Sequence, residues 1–426
     1  MSKSVDNLAK IKHSLTRRNR AEARFRWYGR IAIFIGLSAV AVLFVDIISK
    51  GHGAFQATYI NLDVSYNQDI IGIDNLMDST QLVAGDWQAL SKTALRTKFP
   101  QVSGRSDKRE LNNLLSSGAG FDLKDRLMAK PLLLNETESI WILADDDIDT
   151  YYKSWLDGDA YAARLSEKQI GWIDELHQQD LIRLQLNTNL FTRGDSREPE
   201  QAGILGAVMG SILTLVLTLL LSFPIGVSAA IYLEEFAPKN KWTDFIEVNI
   251  NNLAAVPSII FGLLGLAIFI NFFHVPRSVP IVGGLVLTLM TLPTIIITSR
   301  AAIKSVPPSI REAALGMGAS KYQMVLHHVL PLALPGMLTG AIIGMAQALG
   351  ETAPLLMIGM VAFIVDIPGS FTDPATVLPV QIFLWADSPE RAFIEKTSAA
   401  IMVLLTFLII MNTSAVWLRK RLERHW

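Results

Sequence analysis

Residues able to do chemistry are sparse in this sequence, and few stand at a useful spacing from a partner. No cysteine occurs, which removes disulfides, thiolate metal sites and cysteine nucleophiles. The seven histidines show no zinc-like spacing. His327 and His328 are adjacent, so a helix would turn them to different faces. Asp145-Asp146-Asp147 could attract a cation, but the glycine and distal glutamate of a calcium loop are missing. A solvated acidic turn is expected there, and no metal site. No nucleophile–base arrangement can be assembled, and no Gly-rich loop ends in Gly-Lys-Ser/Thr. The chain reads as a non-enzyme, with no catalytic residue and no cofactor of its own.

One stretch carries a mechanical pattern instead. Residues 309–336 read SIREAALGMGASKYQMVLHHVLPLALPG. Glu312-Ala313-Ala314 is followed by Gly318, then by Leu330-Pro331 ahead of an apolar run. The pattern predicts a short helix, a turn, and a second short helix running into a membrane. Ala313 and Ala314 would give a low face that another protein can approach. Glu312 would anchor that face, and Gly318 would let the backbone turn where a Cβ would clash.

Polar residues within or beside apolar runs form a second group of candidates. Glu351, between Gly350 and Thr352, lies inside a run, where an ionisable group is costly and usually faces a cavity or an opposite charge. It is expected to line a pathway or form a gating ion pair with an arginine. The alternative is a structural acid at a helix break, flanked by Gly350 and Pro354. Gln347 can donate hydrogen bonds one turn earlier. Asn251 and Asn252 open another run and could meet an oxyanion at a helix N-terminus, although simple capping is favoured. Arg300 ends a run, where snorkelling to the interface explains it as well as substrate attraction. Glu234 and Glu235 read as the start of a solvated loop.

The elements that must position these residues are membrane helices. Half of the 426 residues are hydrophobic, and they gather into charge-free runs of the length, about 20 residues, that crosses a bilayer. The first run is about 31–49, and it reads as a retained anchor rather than a cleavable signal. Five more follow near 203–232, 250–273, 279–298, 332–358 and 397–418. Pro224, Pro257, Pro293, Pro335 and Pro354 fall in or beside them, which membrane helices tolerate. Between the first and second runs lie about 150 residues without a span. Alternation at Ile60, Leu62 and Val64 predicts one strand, SIWIL at 139–143 another, and Ile170, Ile173, Leu176, Leu181 and Leu184 a helix over 167–186. Residues 192–201, TRGDSREPEQ, read as a linker.

Charge gives the orientation. Residues 1–50 hold ten Lys/Arg against three Asp/Glu, and 51–200 hold 15 against 24. Basic residues beside spans stay cytoplasmic. Arg17, Arg18, Arg20, Arg24, Arg26 and Arg30 therefore place residues 1–30 inside. Six crossings return the basic tail 419–426, with Arg419, Lys420, Arg421 and Arg424, to the same side. Loop 299–331 falls inside and the acidic domain 50–201 outside. No basic face for nucleic acid is readable. The expected fold is an all-α polytopic membrane protein of six transmembrane helices, with core 202–418 and an inserted α+β periplasmic domain.

The 309–336 stretch resembles the EAA motif of ABC-importer permeases, EAA-x3-G-x9-I-x-LP, although His328 stands at its hydrophobic position. AIYLEEFAP (230–238), NNLAAVPSIIFGLLGLAIF (251–269), LPTIII (292–297) and LPGMLTGAIIGMAQALGETAPLLMIG (334–359) resemble the PstA family of phosphate permeases over about 200–426. Residues 1–200 resemble the extension of a longer subgroup. The resemblance implies the ABC importer permease fold and a multi-pass place in the bacterial inner membrane. It implies docking on an ATPase through Glu312, Ala313, Ala314, Gly318, Leu330 and Pro331. It also implies a second permease subunit, two copies of a cytoplasmic ATPase that holds the ATP, and a periplasmic phosphate-binding protein. Similar permeases often carry Arg where Gln347 stands. An importer of another oxyanion or small solute shares the coupling loop. A membrane sensor would be expected to need a signalling domain after the last span, where only nine residues, Leu418 to Trp426, remain.

Overall fold

The computed structural model describes residues 2–73, 79–158, 164–361 and 363–422. Arg424 lies outside them. Two compact units are present, residues 1–50 and 51–426. The first is a single helix, α1 (Ser2–Gly51). Its apolar side chains, among them Ile33, Phe34, Leu37 and Val45, are exposed, as side chains that face lipid would be.

The second unit begins with an α+β domain. Its sheet has three antiparallel strands: β1 (Gln56–Ser65), β2 (Thr137–Leu143) and β3 (Ile182–Leu186), in the order β2-β1-β3. Ile60 faces Ile142 on one side and Ile182 on the other. Alternation sets one face inward, so Ile60, Leu62 and Val64 are fully buried. They pack with Leu90 and Leu95 of α2 (Trp87–Lys98), Ile148 of α3 (Asp146–Leu156), and Trp172 and Ile173 of α4 (Glu167–Gln178).

The 167–186 pattern divides where a single helix was expected. A Ser166–Gln169 capping box starts α4. Asp180 then takes a left-handed φ of 53°, which aspartate tolerates better than most residues. Beyond it, Ile182 and Leu184 belong to a strand with period two. The expected linker 192–201 is also packed rather than free. Pro199, Glu200 and Gln201 are buried, and Arg193 pairs with Asp122.

The remaining chain is helical: α5 (Leu205–Ile231), α6 (Lys241–Ala254), α7 (Ser258–Gly265), α8 (Pro280–Lys304), α9 (Pro308–Gly316), α10 (Leu330–Gly350), α11 (Leu378–Ala386) and α12 (Ala392–Leu422). Together with α1, five helices among the described residues are long and apolar enough to cross a membrane. A sixth is reached only if α6 and the α7 segment count as one span, and these bend by 100°. The third apolar run is thus broken rather than straight. Pro257 lies at the break and caps α7, because proline cannot continue a helix and disfavours helical geometry in the residue before it.

Helix α8 is the most buried of the spans, wedged between α5 and α10. Close approach to α10 requires Gly340, where a Cβ would sit 1.9 Å from the Thr298 hydroxyl. The architecture is a helical multi-pass membrane protein carrying an α+β insertion.

Candidate functional site

The region joining α8 to α10 forms an elbow. Helix α9 opens on Pro308 and ends at Gly316, with Met317 as its C-cap. Gly318 follows with φ 89°, and nothing lies within 4 Å of where its Cβ would be. The reason for glycine here is backbone conformation, not the crowding expected from sequence. Ser320 then caps the next turn, Lys321–Met324, in a capping box with Gln323. That turn runs without a break through a wide-turned segment, Val325–Val329, into α10. Leu330 and Pro331 open α10 half-buried.

Packing divides the two alanines that sequence placed on one accessible face. Ala313 and Glu312 are exposed, whereas Ala314 is buried against Val325, Val329 and Met324. Ala314 serves the protein's own core: a small side chain lets α9 lie close on the start of the α10 arm. His327 and His328 are exposed while Val325 and Val329 fill the interior. The departure at His328 therefore leaves the packing of this arm intact. Sequence reasoning missed the apolar knob at the elbow's tip, where Leu315, Met317 (86 % exposed) and Tyr322 lie open. Three exposed hydrophobics around one turn are the kind of patch that marks a protein contact.

A charge clamp holds the elbow. Arg311, beside Glu312, makes a 2.8 Å ion pair with Glu235 and donates to the carbonyls of Val306 (2.6 Å) and Ile303 (2.9 Å). Arg300, 12 % exposed, bridges Glu247 at 2.6 Å and Glu234 at 3.4 Å, and Lys304 reaches Glu234 at 3.5 Å. Glu234 and Glu235 are thus not a solvated loop start; the Glu235 side chain is only 8 % exposed. The signal was legible in principle, since two acids end one span on the side where Arg300, Lys304 and Arg311 end another. A buried carboxylate needs such partners because desolvation without them costs several kcal/mol. Arg300 is accordingly a bridging group between helices, not a side chain snorkelling into solvent.

The other candidates do not converge with the elbow. Helix α10 stops at Gly350, and Glu351 sits in the break before a single turn, Ala353–Met357. Glu351 lies at a helix break rather than inside a continuous span, as the structural alternative had it. Its carboxylate makes no ion pair among the described residues. Glu351 and Thr352 are half-buried and Gln347 is exposed. Asn252 does not open a helix; it lies exposed in the last turn of α6, with its carbonyl accepting from the Ala255 amide. The helix N-terminus proposed for an oxyanion is therefore not at Asn251 and Asn252.

Comparison with known proteins adds the following. Residues 222–425 match the family described as binding-protein-dependent transport system inner membrane component. Residues 12–162 match a domain of unknown function, DUF3333. The chain is 31 % identical over 211 residues to the probable ABC transporter permease protein YqgI of Bacillus subtilis, covering 46 % of this chain and 71 % of that one. It is 28 % identical over 227 residues to the phosphate transport system permease protein PstA of Haemophilus influenzae, covering 53 % and 79 %. Among solved structures, an inward-facing MetNI methionine ABC transporter superposes with a TM-score of 0.42 at 19 % identity, covering 51 % of this chain and 97 % of that one.

Proposed function

This chain belongs to the binding-protein-dependent inner membrane components, among ABC permeases of the PstA type, and from that premise we propose that it carries inorganic phosphate into the cell. It would do so as one of two permease subunits, driven by ATP hydrolysed on two copies of a separate cytoplasmic ATPase and supplied by a periplasmic binding protein. The elbow carries the reading. Its exposed Glu312, Ala313 and apolar tip form a docking surface, and the Arg311 and Arg300 clamp ties that surface to α5, α6 and α8. Closure of the ATPase dimer would push α9, and the clamp would pass the displacement into the spans and open the pathway outward.

In this reading both termini and the elbow are cytoplasmic, and the α+β domain is periplasmic. Gln347 lies in the last turn of α10 and Glu351 and Thr352 just beyond its end, where the pathway would meet the second permease. A carboxylate repels phosphate, so Glu351 would gate rather than bind. Gln347, uncharged where similar permeases often carry arginine, favours a second reading, an importer of another oxyanion or small solute.

Two measurements decide. Glu312→Lys should abolish co-purification of the ATPase and uptake together; undiminished binding would remove the elbow from the coupling path. Phosphate uptake should return when this chain and its partners complement a permease-deletion strain. Assembly and ATPase activity without phosphate uptake would establish the other-solute reading instead.

A further inference from the structure

Helix α3 opens on Asp145-Asp146-Asp147. All three are half-buried, and Asp145 caps the helix by accepting from the Asp147 amide at 3.2 Å, so the triplet is not the solvated turn that sequence suggested. One and two turns further on, α3 reaches the membrane core. The Asp149 carboxylate accepts from the amide and the hydroxyl of Thr58, both at 2.7 Å, at a fully buried position of β1. It also accepts from Lys153 at 2.6 Å, and Lys153 pairs in turn with Glu395 of α12 at 3.2 Å. The Lys153 side chain is only 11 % exposed. A continuous polar chain therefore runs from the central strand of the sheet into the last span.

Further attachments surround that chain. Lys396 of α12, itself buried, donates to the Ala202 carbonyl at 2.6 Å, just ahead of α5. The Trp385 indole of α11 donates to Asp195 at 2.9 Å. Helix α11 is tied to α5 as well: the Leu378 amide donates to the Ser211 hydroxyl at 2.8 Å, and a Cβ on Gly210 would strike the Thr376 carbonyl. An apolar core crosses the same junction. Ala54, ahead of β1, and Leu190, after β3, pack with Ile204, with Trp385 of α11, and with Phe393, Ala399 and Ala400 of α12. Asn187, also buried, closes this core by donating to the Ala54 carbonyl at 3.1 Å. Sliding the domain over α12 would strand the Lys153 and Lys396 ammoniums away from their acceptors, at several kcal/mol for each buried ion. It would also open voids in a close-packed core.

We infer that the α+β domain is a rigid bracket: held by the Lys153 chain and the shared core, it locks the near ends of α5, α11 and α12 together and moves with them as one body. The domain is joined to the spans at both of its chain ends, and two connections alone would let it swing. The third anchorage, on α12, comes from chain more than 200 residues beyond Lys153 and removes that freedom. In the permease reading, on which this consequence alone rests, the domain carries the tilt of α12 to the outer surface.

The chain has no cysteine, so pairs of spin labels can be attached without background and their separation read by pulsed electron resonance on the full-length chain in lipid nanodiscs. Labels on Thr93→Cys of α2 and Ile394→Cys of α12, both exposed positions, measure the domain against the last span. Labels on Thr93→Cys and Leu132→Cys, the latter 91 % exposed, measure the domain against itself. The first distance distribution should be a single peak as narrow as the second. Lys153→Met removes the charge that joins Asp149 to Glu395, and it should widen the first distribution at least about two-fold while leaving the second unchanged. If Lys153→Met does not fold, Glu395→Gln, which keeps the Lys153–Asp149 pair, should widen it in the same sense by less. Two peaks, or a first distribution more than about twice as wide as the second in the otherwise unaltered chain, would overturn the bracket. An unchanged first distribution in Lys153→Met would overturn it too. The measurement needs neither transport nor ATPase, so it reads the same whether or not phosphate is the substrate.

Discussion

The elbow and the acidic seam at the base of the α+β domain both bury carboxylates, but they compensate them differently. At the elbow, Glu234, Glu235 and Glu247 meet Arg300, Lys304 and Arg311 within the chain. At the seam, Asp145, Asp146 and Asp147 hold carboxylate oxygens within 4.8 Å of one another, and Arg164 approaches Asp147 only at 3.9 Å. A set of charges closed on itself is suited to carrying force, because displacing one member drags the others. Burial alone would not have told the two apart; the partners do.

The sharpest way to break this contrast is to open the closed set. Arg311→Ala would leave Glu235 buried without its guanidinium and free the carbonyls of Ile303 and Val306. Removing one partner of a buried pair costs about 3–5 kcal/mol. Opening of α9, followed by hydrogen exchange on the full chain, should rise by roughly 100-fold to several thousand-fold. The double variant Arg311→Gln/Glu235→Gln should recover much of the loss, since no buried charge is then stranded. A single variant that exchanges at the wild-type rate would mean that solvent, not Arg311, balances Glu235.

A smaller effect separates the elbow's shape from its charges. Gly318 adopts φ 89° with open space around it, so Gly318→Ala meets no clash and pays only for the left-handed backbone, about 1–2 kcal/mol. Gly318→Asn should cost less, because asparagine enters that region more readily. Exchange confined to residues 315–320 reads both. An alanine as damaging as Arg311→Ala would show that the turn, and not the clamp, holds the elbow.

The same contrast explains what the sequence could disclose. Local pattern was enough for β1, where Ile60, Leu62 and Val64 alternate, and for the apolar runs that became α5, α8 and α12. It was enough for the elbow's outline too, since Glu312, Gly318 and Pro331 mark helix, turn and restart. Inference failed wherever the answer lay across the chain. Ala314 faces inward because of Val325 and Val329, ten and more residues later. Glu235 is buried because Arg311, 76 residues on, returns to it. The triplet at Asp145 is half-buried because residues 114–116 return beside it, the Leu114 carbonyl accepting from the Asp145 amide. The bend between α6 and α7 was signalled by Pro257, but hydropathy spreads evenly over the break and hid it.

The smallest effect comes from a carboxylate that solvent can reach. Glu138 on β2 takes two hydrogen bonds from Arg126, at 2.9 and 2.6 Å, with the Arg126 side chain 41 % exposed. Those bonds hold its carboxyl below the usual value of 4.5. A depressed acid stabilises the fold fully above its unfolded value, and the contribution fades as pH falls through the folded one. Exposed pairs contribute little, here ~0.5 kcal/mol even with bidentate geometry. Glu138→Gln should therefore quicken exchange in β2 roughly two-fold at pH 7, and the difference should close on acidification below 4.5. A loss as large as that of Arg311→Ala would remove the distinction between buried and solvated charge on which the elbow and the seam have been compared. No difference at any pH would mean that water already does for Glu138 what Arg311 does for Glu235.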